Sequence, residues 1–80
     1  MHLARRCPTG LRRRTAWSTA RTAIDTAAVS RDAAPTRVPE AEQLLTRAEL
    51  VAARHGGAAA AESATDLARE ADRLWRAAGG

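Results

Sequence analysis

Two alanine-rich segments separated by the glycine pair Gly56-Gly57 constrain the fold of this chain more than any other feature. In the second segment, alanine and larger apolar residues recur at steps of three and four between residues 58 and 78. At 100° per residue these positions fall on one broad stripe, and charged residues together with Thr65 occupy the remaining surface. The pattern therefore predicts an amphipathic α-helix over about residues 58–78.

A preceding helix is predicted over about residues 40–55. Pro39 suits the first turn of a helix, and two acidic residues follow it, where they interact favourably with the helix dipole. Gly56 is expected to take the left-handed conformation that commonly ends a helix. The two helices should then fold back on each other as an antiparallel hairpin within residues 39–80.

The apolar content of this hairpin limits its stability. Its seam can draw on six large apolar side chains: Leu44, Leu45, Val51, Leu67, Leu74 and Trp75. Burial of so few groups offsets only part of the conformational entropy that is lost when two helices become ordered. The hairpin should therefore need the N-terminal segment, a second copy of the chain or another protein, and these six residues are predicted to bind that partner.

Leu50 stands apart from the apolar stripe of the first hairpin helix. On a helical wheel it points almost opposite, among Gln43, Thr46, Arg47 and Arg54. Single exposed leucines are common on soluble proteins and need no special explanation. The alternative is that Leu50 contacts something outside the hairpin, and it is included among the predicted partner-binding residues.

The N-terminal half is predicted to contain three regions. Residues 1–14 are expected to form a disordered arginine-rich arm, since Pro8 and Gly10 interrupt helical patterns there. Residues 15–29 predict a third helix that forms on docking, with Trp17 and Ile24 as its anchors. Residues 30–38 read as a linker. The third helix also carries a stripe of hydroxyl side chains, namely Thr15, Thr19, Thr22 and Thr26.

The charge of +4 is distributed unevenly. Residues 1–24 carry six arginines and no acid, whereas residues 40–80 carry seven acids and five arginines. Arg12, Arg13 and Arg14 stand near Trp17, and arginines can neutralise phosphates while an indole stacks on a base. This cluster is the predicted nucleic-acid contact. An arginine-rich, acid-poor N-terminus also fits an organelle-targeting segment.

Several kinds of site have no signature in this sequence. His2 and Cys7 are too few for a zinc site, and no glycine-rich phosphate loop or nucleophile triad is present. We therefore expect no enzyme activity, metal or cofactor. With one cysteine and no apolar run of about 20 residues, a cytoplasmic protein without a membrane span is expected. The 21 alanines and 13 arginines indicate a GC-rich bacterial genome.

The sequence thus predicts an all-α interaction protein. It would self-associate or dock on a larger protein as an accessory subunit, through the alanine and leucine stripes. The alternative function is that of a small antitoxin-like regulator that binds nucleic acid with its basic arm. A third interpretation is a translation product without a selected function.

Overall fold

Three α-helices make up the part of the chain that the structure describes. A computed structural model describes the backbone of residues 2–79 and the side chains of residues 10–79. The helices are α1 (His2–Ala33), α2 (Pro39–Arg54) and α3 (Ala58–Gly79). Residues 2–79 contain no strand, so the predicted all-α fold is confirmed. The bounds of α2 and α3 agree with the predicted helices to within one residue at each end.

The start of α2 shows how local chemistry sets a helix boundary. Val38 has an extended backbone (φ −126°), and Pro39 then supplies the first helical position. No side chain caps this end. Arg37 instead donates two hydrogen bonds to the Glu42 carboxylate, from Nη2 to Oε1 at 2.8 Å and from Nε to Oε2 at 3.2 Å. The bonded guanidinium lowers the pKa of the Glu42 carboxyl, which stabilises its charged form beside the helix N-terminus.

Helix α1 is longer than the helix predicted over residues 15–29. At its C-terminal end it continues to Ala33, where the Ser30 hydroxyl donates a hydrogen bond to Asp72 of α3, so the linker shortens to residues 34–38. At its N-terminal end it includes residues 10–14, which were predicted to be disordered. Arginines favour helix there, and Arg13 also bonds to the turn that follows α2. The remainder of the predicted arm, residues 1–9, lies outside the described side chains.

The helices alternate in direction, with α1 and α3 parallel and α2 antiparallel to both. The indole of Trp17 reaches Gly56 at one end of the bundle, which we call the tip. At the other end, the base, Pro35 lies beside Gly79, with 3.6 Å between its Cδ atom and the position of a Cβ on the glycine. Helix α3 is central, because α1 and α2 each pack extensively along it and contact each other far less.

The interior of the bundle is made mostly of alanine. Within residues 10–79, nine of the twelve buried hydrophobic residues are alanines, and the other three are Trp17, Leu45 and Trp75. Alanine methyl groups let the helix backbones approach closely, which explains why short stripes suffice to join three helices. The buried residues form one cluster towards the base, which includes Leu45 and Trp75, and one towards the tip, which includes Trp17. The docking of α1 through Trp17 and Ile24 therefore agrees with the prediction.

Thr65 differs from its predicted position. The helical pattern assigns it to the polar surface of α3, but only 6% of the residue is exposed. Its hydroxyl donates to the carbonyl of Ala61 one turn earlier, at 2.9 Å, so its burial leaves no unpaired polar atom. The bond to its own helix allows a threonine to face α1.

Candidate functional site

The tip of the bundle holds a cluster of polar contacts, the tip junction, made by Arg13, Trp17, His55 and Gly56. The indole Nε1 of Trp17 donates to the Gly56 carbonyl at 2.8 Å. Arg13 donates from Nη2 to the His55 carbonyl at 3.1 Å and from Nε to the Gly56 carbonyl at 3.3 Å. These carbonyls lie at the C-terminal end of α2, where a positive charge is favourable. The junction thus fastens α1 to the turn between α2 and α3.

His55, and not Gly56, ends α2 in the left-handed conformation. Its φ of 51° is the only positive φ of a non-glycine residue in the described chain, and no described glycine has a positive φ. The prediction for Gly56 was therefore wrong. The imidazole stacks on the Trp17 indole with 4.8 Å between ring centroids and 14° between planes. We attribute the shift of the left-handed conformation from Gly56 to His55 to this stacking. The stacking offsets the steric cost of a positive φ in a residue that has a Cβ.

The strain at His55 can be separated from its stacking by two substitutions. His55→Ala and His55→Gly both remove the imidazole, but only glycine adopts a positive φ without steric cost. We expect the free energy of unfolding of His55→Gly to exceed that of His55→Ala by about 1 kcal/mol. Urea denaturation followed by circular dichroism measures the difference. Equal stability of the two variants would mean that residue 55 is not held in the left-handed conformation in solution.

The predicted nucleic-acid residues divide into two groups. Arg13 and Trp17 are engaged in the tip junction, and Trp17 is buried, so its indole has no face free to stack on a base. Arg12 and Arg14 are exposed. The sequence groups Trp17 with Arg12 and Arg14, but in the structure the indole is buried and these two arginines are on the surface. Nucleic-acid binding stays a prediction that depends on Arg12 and Arg14.

The predicted partner-binding residues also divide. Leu45 and Trp75 are 2% and 1% exposed and belong to the larger core cluster, so these two side chains are not available to a partner. Their assignment to partner binding is corrected: α1 covers the hairpin and encloses them. The remaining seam residues, Leu44, Val51, Leu67 and Leu74, are half-buried at the edges of the two core clusters.

Leu50 is the predicted partner residue that the fold leaves on the surface. Its side chain is 60% exposed, on the side of α2 that points away from the core. It shares a shallow hollow with Arg47, Val51 and Arg54. We call these four residues the outer α2 face. The helical wheel already placed Leu50 among Arg47 and Arg54, but neither arginine was included in the predicted partner-binding residues, and Val51 was assigned to the seam.

Hydroxyl side chains line two open clefts between α1 and α3. The cleft nearer the tip, of about 480 Å³, is lined by Thr15, Thr19 and Thr65 among others. The next, of about 390 Å³, is lined by Thr19, Thr22 and Thr26. The predicted threonine stripe therefore flanks α3. Charged residues of both signs border the clefts, and the described residues include no group of three or more possible metal ligands.

One protein-family model matches residues 3–80, and its description is a family of unknown function, DUF6403. The chain belongs to this family. The DUF6403 match extends over α1 and both helices of the hairpin. Membership also favours a selected protein over an accidental translation product. No curated protein and no solved structure matches the chain. Within residues 2–79, none of the DUF6403 helices has the length and apolar character to cross a membrane.

Proposed function

We propose that this protein is a small helical interaction module that binds another protein through the outer α2 face. The observation that carries the proposal is the exposure of Leu50 in a shallow hollow beside the half-buried Val51. Exposed apolar side chains that adjoin further apolar surface commonly mark contacts with other proteins. Neither a catalytic activity nor a cofactor belongs to this proposal.

The distribution of apolar bulk supports this choice of surface. Alanines fill the core, whereas larger apolar residues lie at its edge. On α2, Leu44 and Val51 lie about a third of a turn around the helix from Leu50. A partner seated on Leu50 could therefore extend its contact onto these half-buried side chains.

Among residues 10–79, two other large apolar residues are exposed, but they make poorer candidates. Leu11 and Val29 lie towards opposite ends of α1 and are 62% and 67% exposed. Leu11 lines the larger cleft between α1 and α3, whose other lining residues are Ala16 and hydroxyl or charged side chains. Neither Leu11 nor Val29 adjoins a second half-buried leucine or valine on its own helix. Isolated exposed apolar residues are ordinary on soluble proteins.

A substitution in the outer α2 face tests the proposal. Leu50→Asp should leave the helical circular dichroism signal and the melting temperature nearly unchanged, because exposed substitutions usually alter stability by about 0.5 kcal/mol or less. The same change should abolish binding to partners recovered with the wild-type protein, as well as any self-association seen by sedimentation. Val29→Asp is the matched control, since it places the same charge at an exposed apolar position of α1. A Leu50→Asp protein that retains every partner would contradict the proposal.

A cytoplasmic location is part of the same proposal, because the single cysteine of the chain indicates no dependence on an oxidising compartment. Fractionation of cells that produce the tagged protein would test the location independently of the partner.

A further inference from the structure

We infer that the partner presents an acidic amphipathic helix to the outer α2 face, with carboxylates against Arg47 and Arg54 and apolar side chains against Leu50. This inference rests on the proposed function and adds the chemistry of the partner. It draws on three observations: the charge of the face, the spacing of its arginines and the apolar residues between them.

The outer α2 face carries positive charge that the described chain does not neutralise. Arg47 and Arg54 are exposed, and neither forms an ion pair with a described residue. Four arginines of the described chain are paired with acids, namely Arg31, Arg37, Arg73 and Arg76. Arg12, Arg14, Arg21 and Arg69 are exposed without an ion pair as well, so what distinguishes Arg47 and Arg54 is that an exposed leucine lies between them on the same helix. Two unpaired guanidinium groups beside an exposed leucine are better satisfied by carboxylates from outside than by a neutral apolar surface.

The spacing of the two arginines matches a helical partner. Arg47 and Arg54 are seven residues apart, which is two helical turns and about 10 Å along α2, so both project from the same side. Leu50 and Val51 occupy the turn between them. An opposing helix with acids two turns apart and apolar residues at the intervening turn would place each group against its complement.

The apolar centre of the face favours a protein over nucleic acid. Phosphates would pair with the arginines but would leave Leu50 and Val51 against a charged backbone, which gains nothing from their burial. Base stacking offers no compensation here, because the outer α2 face contains no aromatic side chain. An acidic amphipathic helix can pair its carboxylates with the two arginines and also bury the two apolar side chains of the outer α2 face.

Synthetic peptides can test this chemistry on the full-length protein. Two 18-residue helical peptides would share one leucine stripe and differ only in flanking residues, which are glutamate in one and lysine in the other. Amide shifts of the isotope-labelled protein would be followed during titration, at low and at physiological salt. We expect the glutamate peptide to shift the amides of residues 47–54 and to bind more weakly as salt rises.

Charge reversal provides the decisive comparison. In the Arg47→Glu/Arg54→Glu variant, affinity for the glutamate peptide should fall roughly tenfold, and the lysine peptide should gain affinity. Arg69→Glu is the control, because Arg69 is exposed on α3 beside the α1–α3 clefts and away from this face. Circular dichroism of each variant verifies that the bundle is intact.

The outcomes separate this inference from the proposed function. If both peptides bind the wild-type protein equally and Leu50→Asp weakens both, the docking face stands and the acidic partner is wrong. If charge reversal weakens the glutamate peptide but Leu50→Asp does not, the apolar docking function is wrong. The inference is overturned if the glutamate peptide does not shift the amides of residues 47–54. It is also overturned if a single-stranded DNA 20-mer binds at these residues more tightly than the glutamate peptide does.

Discussion

Replacement of Trp75 by alanine is expected to lower the free energy of unfolding by about 3–5 kcal/mol, the range for truncation of a large buried aromatic residue. Trp75 is 1% exposed and is the largest side chain enclosed by the bundle. Its cluster contains alanines from all three helices, including Ala27, Ala41 and Ala71. Alanines cannot extend into the space that the indole would leave, so the cavity would persist.

Thermal and urea unfolding of Trp75→Ala would measure this loss. Domains of this length are typically stable by about 4–12 kcal/mol, so the loss is a large share of the total and the variant should unfold at a markedly lower temperature and urea concentration than the wild-type protein. Leu74→Ala is the matched control, because Leu74 is the adjacent residue on α3 and is only half-buried. Leu74→Ala should lower the free energy of unfolding by markedly less than Trp75→Ala does. Equal losses for the two variants would show that Trp75 does not occupy the core.

Removal of α1 is expected to have a still larger effect on structure. A fragment of residues 34–80 would retain α2 and α3 but would lose Trp17, Ala20, Ala23 and Ala27, which are buried when α1 packs on the hairpin. The exposed alanine stripes bury too little surface to hold two short helices together. The fragment should therefore lose most of its helicity, whereas a chain that lacks only residues 1–9 should retain α1 docking through the tip junction.

Much of the hairpin was predictable from the sequence because its signals are local. Pro39 starts α2, and the apolar spacing of α3 continues without interruption from its first turn to its last. The third helix was also predictable in outline, since Trp17 and Ile24 recur on one side of it. The shortage of large apolar groups in the hairpin indicated that it needs a further packing partner, and α1 is that partner within the same chain.

The features that escaped prediction depend on contacts between distant residues. Nothing near His55 in the sequence favours a left-handed conformation there over Gly56, since the stacking partner lies in another helix at Trp17. Thr65 was likewise assigned to the surface because its burial depends on where α1 crosses α3. The helical state of residues 10–14 accompanies the bonds of Arg13 to the tip carbonyls, which no local pattern encodes.

The candidate site was predictable only in part for the same reason. A helical wheel isolates Leu50 from the apolar stripe, and the structure shows its side chain at the surface. The wheel cannot show that Leu45 and Trp75 are enclosed, because α1 covers them only in the folded bundle. Nor does it distinguish Arg47 and Arg54 from arginines that are paired with acids.

Circular dichroism of the 34–80 fragment, with and without a peptide of residues 10–33, tests most directly whether α1 completes the core. The fragment alone should be weakly helical at micromolar concentration, and addition of the α1 peptide should restore a cooperative thermal transition. A Trp17→Ala peptide should restore it poorly, because that side chain links the tip junction to the core. A fragment that is as helical and as heat-resistant as the whole chain would contradict a core shared by three helices.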